Sequence, residues 1–202
     1  SGQDRLNLRA NLNHDMFDGK VKTNIQVMNQ SIKALQGGSS DYMWRQAIIR
    51  NPTDAIYNTA GKWQERNAYM YDNPLGMIHE TINDRIWRET RMNGSVDYRP
   101  IRDLSIKALM SRVQTNDLYG NATSFDHVNT TKNNLNGTAS RSTNADVENL
   151  LELTANFSKT LGDHKLGGLV GYSYQDNTAE NFYAYNFDFP TDNYTYNKLE
   201  AG

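Results

Sequence analysis

Leu6-Asn7-Leu8-Arg9-Ala10-Asn11-Leu12-Asn13 alternates strictly between apolar and polar residues, and past Asp18-Gly19 the chain returns through Val21, Thr23, Ile25 and Val27, with Lys20, Lys22, Asn24 and Gln26 on the other parity. A period of two is the signature of a strand with one apolar face. Asp-Gly is favoured where both central residues of a tight hairpin need positive φ. The stretch therefore predicts a β-hairpin over about 5–15 and 20–29.

Two further hairpins follow the same plan. Arg88, Thr90, Met92, Gly94, Val96 and Tyr98 alternate with Glu89, Arg91, Asn93, Ser95 and Asp97 over 86–98. A connection around Pro100, which cannot continue a ladder, leads to Leu104, Ile106, Ala108 and Met110 over 104–113. Over 149–160, Leu151, Leu153, Ala155 and Phe157 alternate with Glu152, Thr154, Asn156 and Ser158. After Gly162-Asp163-His164, the residues Leu166, Gly168, Val170, Tyr172 and Tyr174 carry the apolar parity of 165–176. A helical stripe through Val147, Leu150, Leu151, Thr154, Phe157 and Leu161, with Asp146 as N-cap and Gly162 as C-cap, competes for this stretch. Turn chemistry and the third repetition of one plan favour the strand.

Tight turns thus join the hairpins at one end, and long polar connections (30–85, 112–149 and 176 to the last residue) join them at the other. Compact soluble domains rarely need several such loops. Outer-membrane barrels have short periplasmic turns, long extracellular loops and strands of about 9–11 residues across the hydrocarbon. The expected fold class is all-β, with antiparallel hairpins forming part of a large transmembrane barrel and a short helix at about 41–49, introduced by Gly37-Gly38-Ser39-Ser40. Phe17, Trp87, Tyr98, Tyr172 and Tyr174 sit near strand ends, where they suit interfacial girdles.

Composition agrees. Only 37% of residues are hydrophobic, yet there are twelve Tyr, and mean hydropathy is -0.78. No apolar run reaches the roughly 18 residues of a spanning helix. Net charge is -2 without a block of like charge, which argues against recruitment of nucleic acid or an anionic membrane surface. There is no Cys, so thiolate metal sites and disulfides drop out. The four His, at 14, 79, 127 and 164, have no metal-ligand spacing. His14 is read as lying on a polar strand face and His164 in a turn. Glu148/Glu152 fit a polar strand or helix face better than acid/base chemistry. No enzyme and no cofactor are expected.

Several segments resemble the barrel domain of SusC/RagA-like TonB-linked outer-membrane transporters. Ile48-Ile49-Arg50-Asn51-Pro52-Thr53-Asp54-Ala55-Ile56-Tyr57-Asn58 looks like the family's Asn-Pro-Thr segment leading to Tyr-Asn, and Asn73-Pro74 precedes the next strand as it does there. The hairpin from Glu148 to Gly171-Tyr172-Ser173-Tyr174-Gln175, and Phe189-Pro190-Thr191-Asp192-Asn193-Tyr194-Thr195-Tyr196-Asn197-Lys198-Leu199, are similar to later family segments. Lys198-Leu199-Glu200 departs where a Gly-rich continuation is more usual. The resemblance implies an outer-membrane barrel of about 22 strands with a plugged lumen, a SusD-like surface lipoprotein as lid, the TonB complex as energy source, and an oligosaccharide or peptide substrate. The six expected strands are too few to close a barrel. The chain therefore reads as an excerpt, with the plug and N-terminal domains outside it.

Candidate contacts to ligand or partner are the loop aromatics Trp44, Tyr57, Trp63, Tyr69, Tyr71, Phe182, Tyr183 and Tyr185, which suit sugar stacking or partner packing as well as packing of loops against one another. A soluble secreted β-sandwich acting as a carbohydrate-binding module is the alternative. It differs in burying its apolar face under a second sheet.

Overall fold

The computed structural model describes residues 2–35, 41–66 and 71–202. Six antiparallel strands form one sheet in sequence order: β1 (Gly2–Met16), β2 (Val21–Leu35), β3 (Thr81–Ile101), β4 (Leu104–Thr123), β5 (Thr138–Leu161) and β6 (His164–Phe187). Three short helices, α1 (Asp41–Ile49), α2 (Pro74–His79) and α3 (Val128–Lys132), lie in the connections, and two 3-10 segments follow β6.

The tight turns form where Asp18-Gly19 and Gly162 stand, although Phe17 before the first is also held at φ 56°. Lys20 N–H donates to the Phe17 carbonyl at 3.1 Å. Between them Asp18 and Gly19 have φ of 56° and 81°, the left-handed pair of a type I′ turn. Gly162, at φ 60°, opens the two-residue turn closed by the Leu161–His164 pair. His164 is accordingly a strand residue. Pro100 has no N–H to give, and the β3–β4 register shifts between Tyr98 and Ile101, where the loss disturbs the ladder least. The helical alternative for 147–161 is not adopted: these residues lie in β5, paired on both sides.

The registers decide which side chains share a face. One rung runs Leu12, Ile25, Gly94, Met110, Leu151, Tyr174, and another Met16, Val21, Tyr98, Ile106, Ala155, Val170. The rungs between them alternate with these and carry polar groups, such as Asn11, Gln26, Asn93, Ser111 and Gln175. The apolar band is oblique. On β1 it extends from Leu12 toward the loops as far as Leu6, whereas on β6 it extends from Tyr174 toward the turns as far as Leu166. Strands tilted by about 35–45° and spaced about 4.8 Å shift a level band by roughly one residue per strand, and the drift has that size.

Among the described residues nothing covers this band. Leu12 is 62% exposed, Met110 65% and Val170 75%, and the described residues form a single sheet. The sandwich alternative, which needs a second sheet, is therefore not this fold. On β4 the opposite, polar face is half-buried at Leu109, Ser111, Val113, Thr115, Asp117 and Tyr119, while Met110, Arg112, Gln114 and Asn116 are exposed. A sheet produces that asymmetry when it curls toward its polar side.

Three expectations are corrected. The strands run 15 to 24 residues, beyond the expected bounds, and most of the added length is at the loop end. The connections shrink to 36–80 and 124–137, and most of 176–187 is strand. Trp87 lies on the polar face and Tyr98 on the apolar one, as their rungs require, so the two do not belong to one girdle. His14 shares the parity of Leu12 and pairs with Thr23, placing it on the apolar face near the turns.

The apolar clusters buried among the described residues lie at the loop end. Met43, Met77 and Val128 form one. Ala122, Ala139 and Phe189 form the other, with Tyr194, Tyr196, Leu199 and Ala201 packed on it. In this second cluster segment 188–202 lies on the apolar-parity face of the sheet, beyond the oblique band. The Tyr196 ring covers Gly120, and its hydroxyl donates to the Asp84 carboxylate. A Cβ at position 120 would collide with that ring. We predict that Gly120→Ala lifts Tyr196 and raises amide exchange across 192–197 at least tenfold, with the strand ladders unchanged. Exchange equal to wild type would show that the segment is not held through this contact.

Candidate functional site

The three connections meet at the loop end of the sheet and are joined by polar side chains, of which Asp72 is buried. Asn73 is the first node. Its side-chain oxygen accepts from Leu75 N–H at 3.2 Å, capping α2, whose first residue is Pro74. Its amide donates to the Ile56 carbonyl at 2.9 Å, and its main-chain N–H to Glu65 at 2.8 Å. Only a side chain with both acceptor and donor does this, which explains Asn before Pro at a 1% exposed position.

Asp72 is the second node. Its N–H donates to Gln46 on α1 at 2.8 Å, its carboxylate accepts from the Tyr42 hydroxyl at 2.7 Å, and it is paired with Lys132 on α3. A 2% exposed carboxylate needs such partners. Glu80, after α2, is the third: it accepts from the Trp63 indole N–H at 2.8 Å and from the Ser124 hydroxyl, while its carbonyl accepts from Ser124 N–H at 3.0 Å. Asp192 accepts from Phe125 N–H at 3.0 Å and Asp188 from Asn136 N–H at 2.9 Å, which ties the last segment to the second connection.

A cavity of about 240 Å³ lies where these meet, lined by residues including His79, Glu80, Ser124, Phe189 and Asp192. Burial raises the carboxyl pKa of Asp192 and of Glu65. Burial and the bond to Asp84 push the Tyr196 phenol up to about 12. On the polar face of the sheet a groove of about 340 Å³ is lined by Gln3, Arg5, Gln30, Ile32, Ala34, Arg85 and Trp87. Arg85 there is held by Asp117 through contacts of 2.6 to 3.2 Å. Among the described residues no group of three or more His, Asp or Glu is placed to hold a metal ion.

The candidate aromatics divide. Trp63 packs inside the cap, 4.9 Å from Tyr57 and stacked at 5.5 Å on His79. Tyr71 hydroxyl accepts from Asn51 N–H at 2.9 Å and donates to the Ile49 carbonyl at 3.2 Å, with Arg66 over its ring. Trp44 on α1 is 61% exposed and Tyr57 54%. Phe182, Tyr183 and Tyr185 are on β6 rather than in a loop. Tyr183 and Tyr185 share the polar face, and Phe182 lies on the other. Tyr69 lies outside the described residues, as do Gly37-Gly38-Ser39-Ser40.

Sequence reasoning missed Gln46, Asp72, Glu80 and Lys132, and assigned no capping role to Asn73 or His127. Only Asn73 carried a local signal, a capping residue followed by Pro. His127 caps α3: its Nδ1 accepts from Asn129 N–H at 3.1 Å, and the residue is 3% exposed. Burial holds its pKa below 6.5, against the attraction of Glu80 and Asp72. A depressed His pKa means that the unfolded cap binds the proton more readily, so the stability is present above about 6.5 and falls as pH drops toward the folded value. Glu65 and Asp192, raised by burial, act in the opposite sense at lower pH. We predict that amide protection of 128–132 falls on acidification below about 6.5, and that His127→Asn, which caps without titrating there, removes the dependence. Protection independent of pH in the wild-type chain would contradict a neutral His127 cap.

Comparison with solved structures finds the same fold. The structure of the RagAB peptide transporter matches with a TM-score of 0.76. The RagAB peptide importer matches at 0.75 in the 'closed-closed' state and 0.77 in the 'open-open' state. Each match is at 16% identity and covers 99% of this chain and 23% of the solved one. No protein-family model and no curated protein matches the sequence. The six-stranded sheet with its loop cap is thus a fold found within a peptide-transporter structure, and this chain spans about a quarter of the length of the chains it matches.

Proposed function

We propose that the chain is a segment of the wall and loop cap of a TonB-dependent outer-membrane barrel that imports oligomeric nutrients, glycans or peptides, together with a SusD-like surface lipoprotein. The observation that carries the reading is the uncovered oblique apolar band. A single sheet with one apolar face, 62% to 75% exposed at Leu12, Met110 and Val170, leaves far more apolar surface open than soluble monomers do, and lipid is the covering that a closed barrel requires. No described helix is long and apolar enough to cross a membrane, which leaves the strands as the crossing elements. The turn end, where the band lies, faces the periplasm. The longer loop ends of the strands and the cap project outside.

In this reading Tyr183 and Tyr185 line the mouth of the lumen on the polar face, three strands from the groove beside Trp87, and Trp44 and Tyr57 are presented on the cap. Trp63 and Tyr71 hold the cap together and act on ligand through its shape. Aromatic rings at the mouth suit sugar faces, and the polar face with Arg5, Arg85 and Gln3 suits peptide groups. The TonB complex acts through parts of the protein outside this chain.

The test is uptake by cells expressing the full-length protein with its lipoprotein partner, using labelled oligopeptides and oligosaccharides in parallel. We predict TonB-dependent accumulation of one class. We also predict a several-fold higher half-saturating concentration in Trp44→Ala/Tyr183→Ala, at unchanged outer-membrane protein level. Absence of the protein from the outer membrane, or accumulation of neither class, would contradict the assignment.

A further inference from the structure

The residues that flank the groove on the polar face stand opposite one another across β2. Gln3, Ala34 and Arg85 share one rung, and Arg5, Ile32 and Trp87 share the rung two residues further from the loops. Strands lie about 4.8 Å apart, so the main chains at Arg5 and Trp87 are roughly 10 Å apart. Between them Ala34 and Ile32 form a floor without polar side-chain atoms, and the space above it is the groove of about 340 Å³. Ligand pockets run from about 300 to 1,000 Å³. This one is at the small end, with room for one residue of an oligomer rather than a length of chain.

The two cations of the groove are held differently. Arg85 is paired with Asp117 and lies over the Tyr119 ring at 4.9 Å. Arg5 has no carboxylate partner among the described residues. On this face of β1 to β4 the carboxylates near these rungs are Asp117 and Glu89, and both are engaged, Glu89 with Arg91. Asp4, next to Arg5 in the chain, is on the opposite face. With the Gln30 amide oxygen turned toward it, Arg5 donates to that oxygen from Nε at 2.8 Å and from Nη2 at 2.6 Å. A guanidinium has five N–H groups, so the edge between Nη1 and Nη2 is left to a ligand. Arg9 is also without a carboxylate, but it lies outside the groove, against the Met28 sulfur at 3.5 Å.

We infer that this groove binds the C-terminal residue of an oligopeptide, with its carboxylate on Arg5 and an apolar side chain against Trp87 and Ile32. The inference rests on the importer reading above and narrows its cargo to peptides with a free, apolar C-terminus. The open guanidinium edge takes a carboxylate bidentately. The Trp87 indole offers a large apolar surface with few torsions to immobilise. A sugar acid would satisfy the charge equally, but its ring hydroxyls would meet Ala34 and Ile32, which offer them no side-chain hydrogen bond.

The experiment uses the full-length protein purified with its lipoprotein partner. It measures the affinity for an N-acetylated pentapeptide ending in leucine as free acid, for the same peptide as C-terminal amide, and for a glucuronic acid disaccharide. The free acid is expected to bind about tenfold more tightly than the amide, as a charge-assisted pair requires. That ratio falls to unity in Arg5→Gln and is partly kept in Arg5→Lys. Trp87→Ala weakens acid and amide alike, and Arg9→Gln leaves the ratio as in wild type. Equal affinity of the wild-type protein for acid and amide, or a ratio that survives Arg5→Gln, would overturn the inference. Tighter binding of the disaccharide than of the peptide acid would overturn it in favour of a sugar-acid site. Where cells expressing the protein still take up peptide or glycan, each of these outcomes leaves the importer reading standing; uptake of neither would overturn both.

Discussion

Main-chain hydrogen bonding is the constraint on which the rest depends. A strand that faces hydrocarbon has no water to satisfy its N–H and C=O groups, so every one must be paired within the ladder. The five ladders meet that demand for β2 to β5 and for the inner edges of β1 and β6: β5 and β6 pair from Thr138–Phe187 to Leu161–His164 without a register shift, and the irregularity at Tyr98/Ile101 lies beside Pro100 near a turn. A fixed ladder leaves the side chains a period of two. That period places Leu12, Ile25, Met110 and Leu151 on one face, and Asn11, Gln26, Ser111 and Leu150 on the other.

Stability is divided accordingly. The strand region lacks an internal apolar core, and its cohesion comes from the ladders, from side-chain bonds such as Asn24 to Asn11 and Asn13 at 2.8 and 2.6 Å, and from whatever covers its apolar face. The loop cap is a small conventional fold. It has apolar clusters around Met77 and Phe189 and polar nodes at Asp72, Asn73 and Glu80, of which Asp72 and Glu80 also take partners from the second connection. Such networks are costly when broken, because each missing partner leaves a buried polar group unpaired.

What could be read in the sequence follows from where the physics is one-sided. Across the apolar band, alternation was legible because one face carries apolar residues and the other polar ones: Leu151 to Phe157 is an example, and Asp18-Gly19 adopted the left-handed pair its residues favour. Beyond the band the strands carry small and polar residues on both faces, and the apolar contacts there come from the distant segment around Phe189. Thr138-Ala139-Ser140-Arg141-Ser142-Thr143-Asn144 therefore reads as loop although it is strand, and the same holds for 177–187. The aromatic richness of the cap was visible, but the roles were not. Trp63 is fixed by Glu80, which follows 17 residues later, and Asp72 by Lys132, which follows 60 residues later. Pairs of that separation leave no local periodicity.

The central claim is that the apolar parity of the strands faces lipid. Single spin labels placed one at a time at positions 151 to 158 of the full-length protein in liposomes read it directly, through accessibility to oxygen and to a water-soluble relaxant. The account predicts lipid exposure at Leu151, Leu153, Ala155 and Phe157, and water exposure at Glu152, Thr154, Asn156 and Ser158. Odd positions shielded from both reagents would mean a second sheet covers them, and accessibility rising and falling every 3.6 residues would mean a helix; either would contradict the membrane wall.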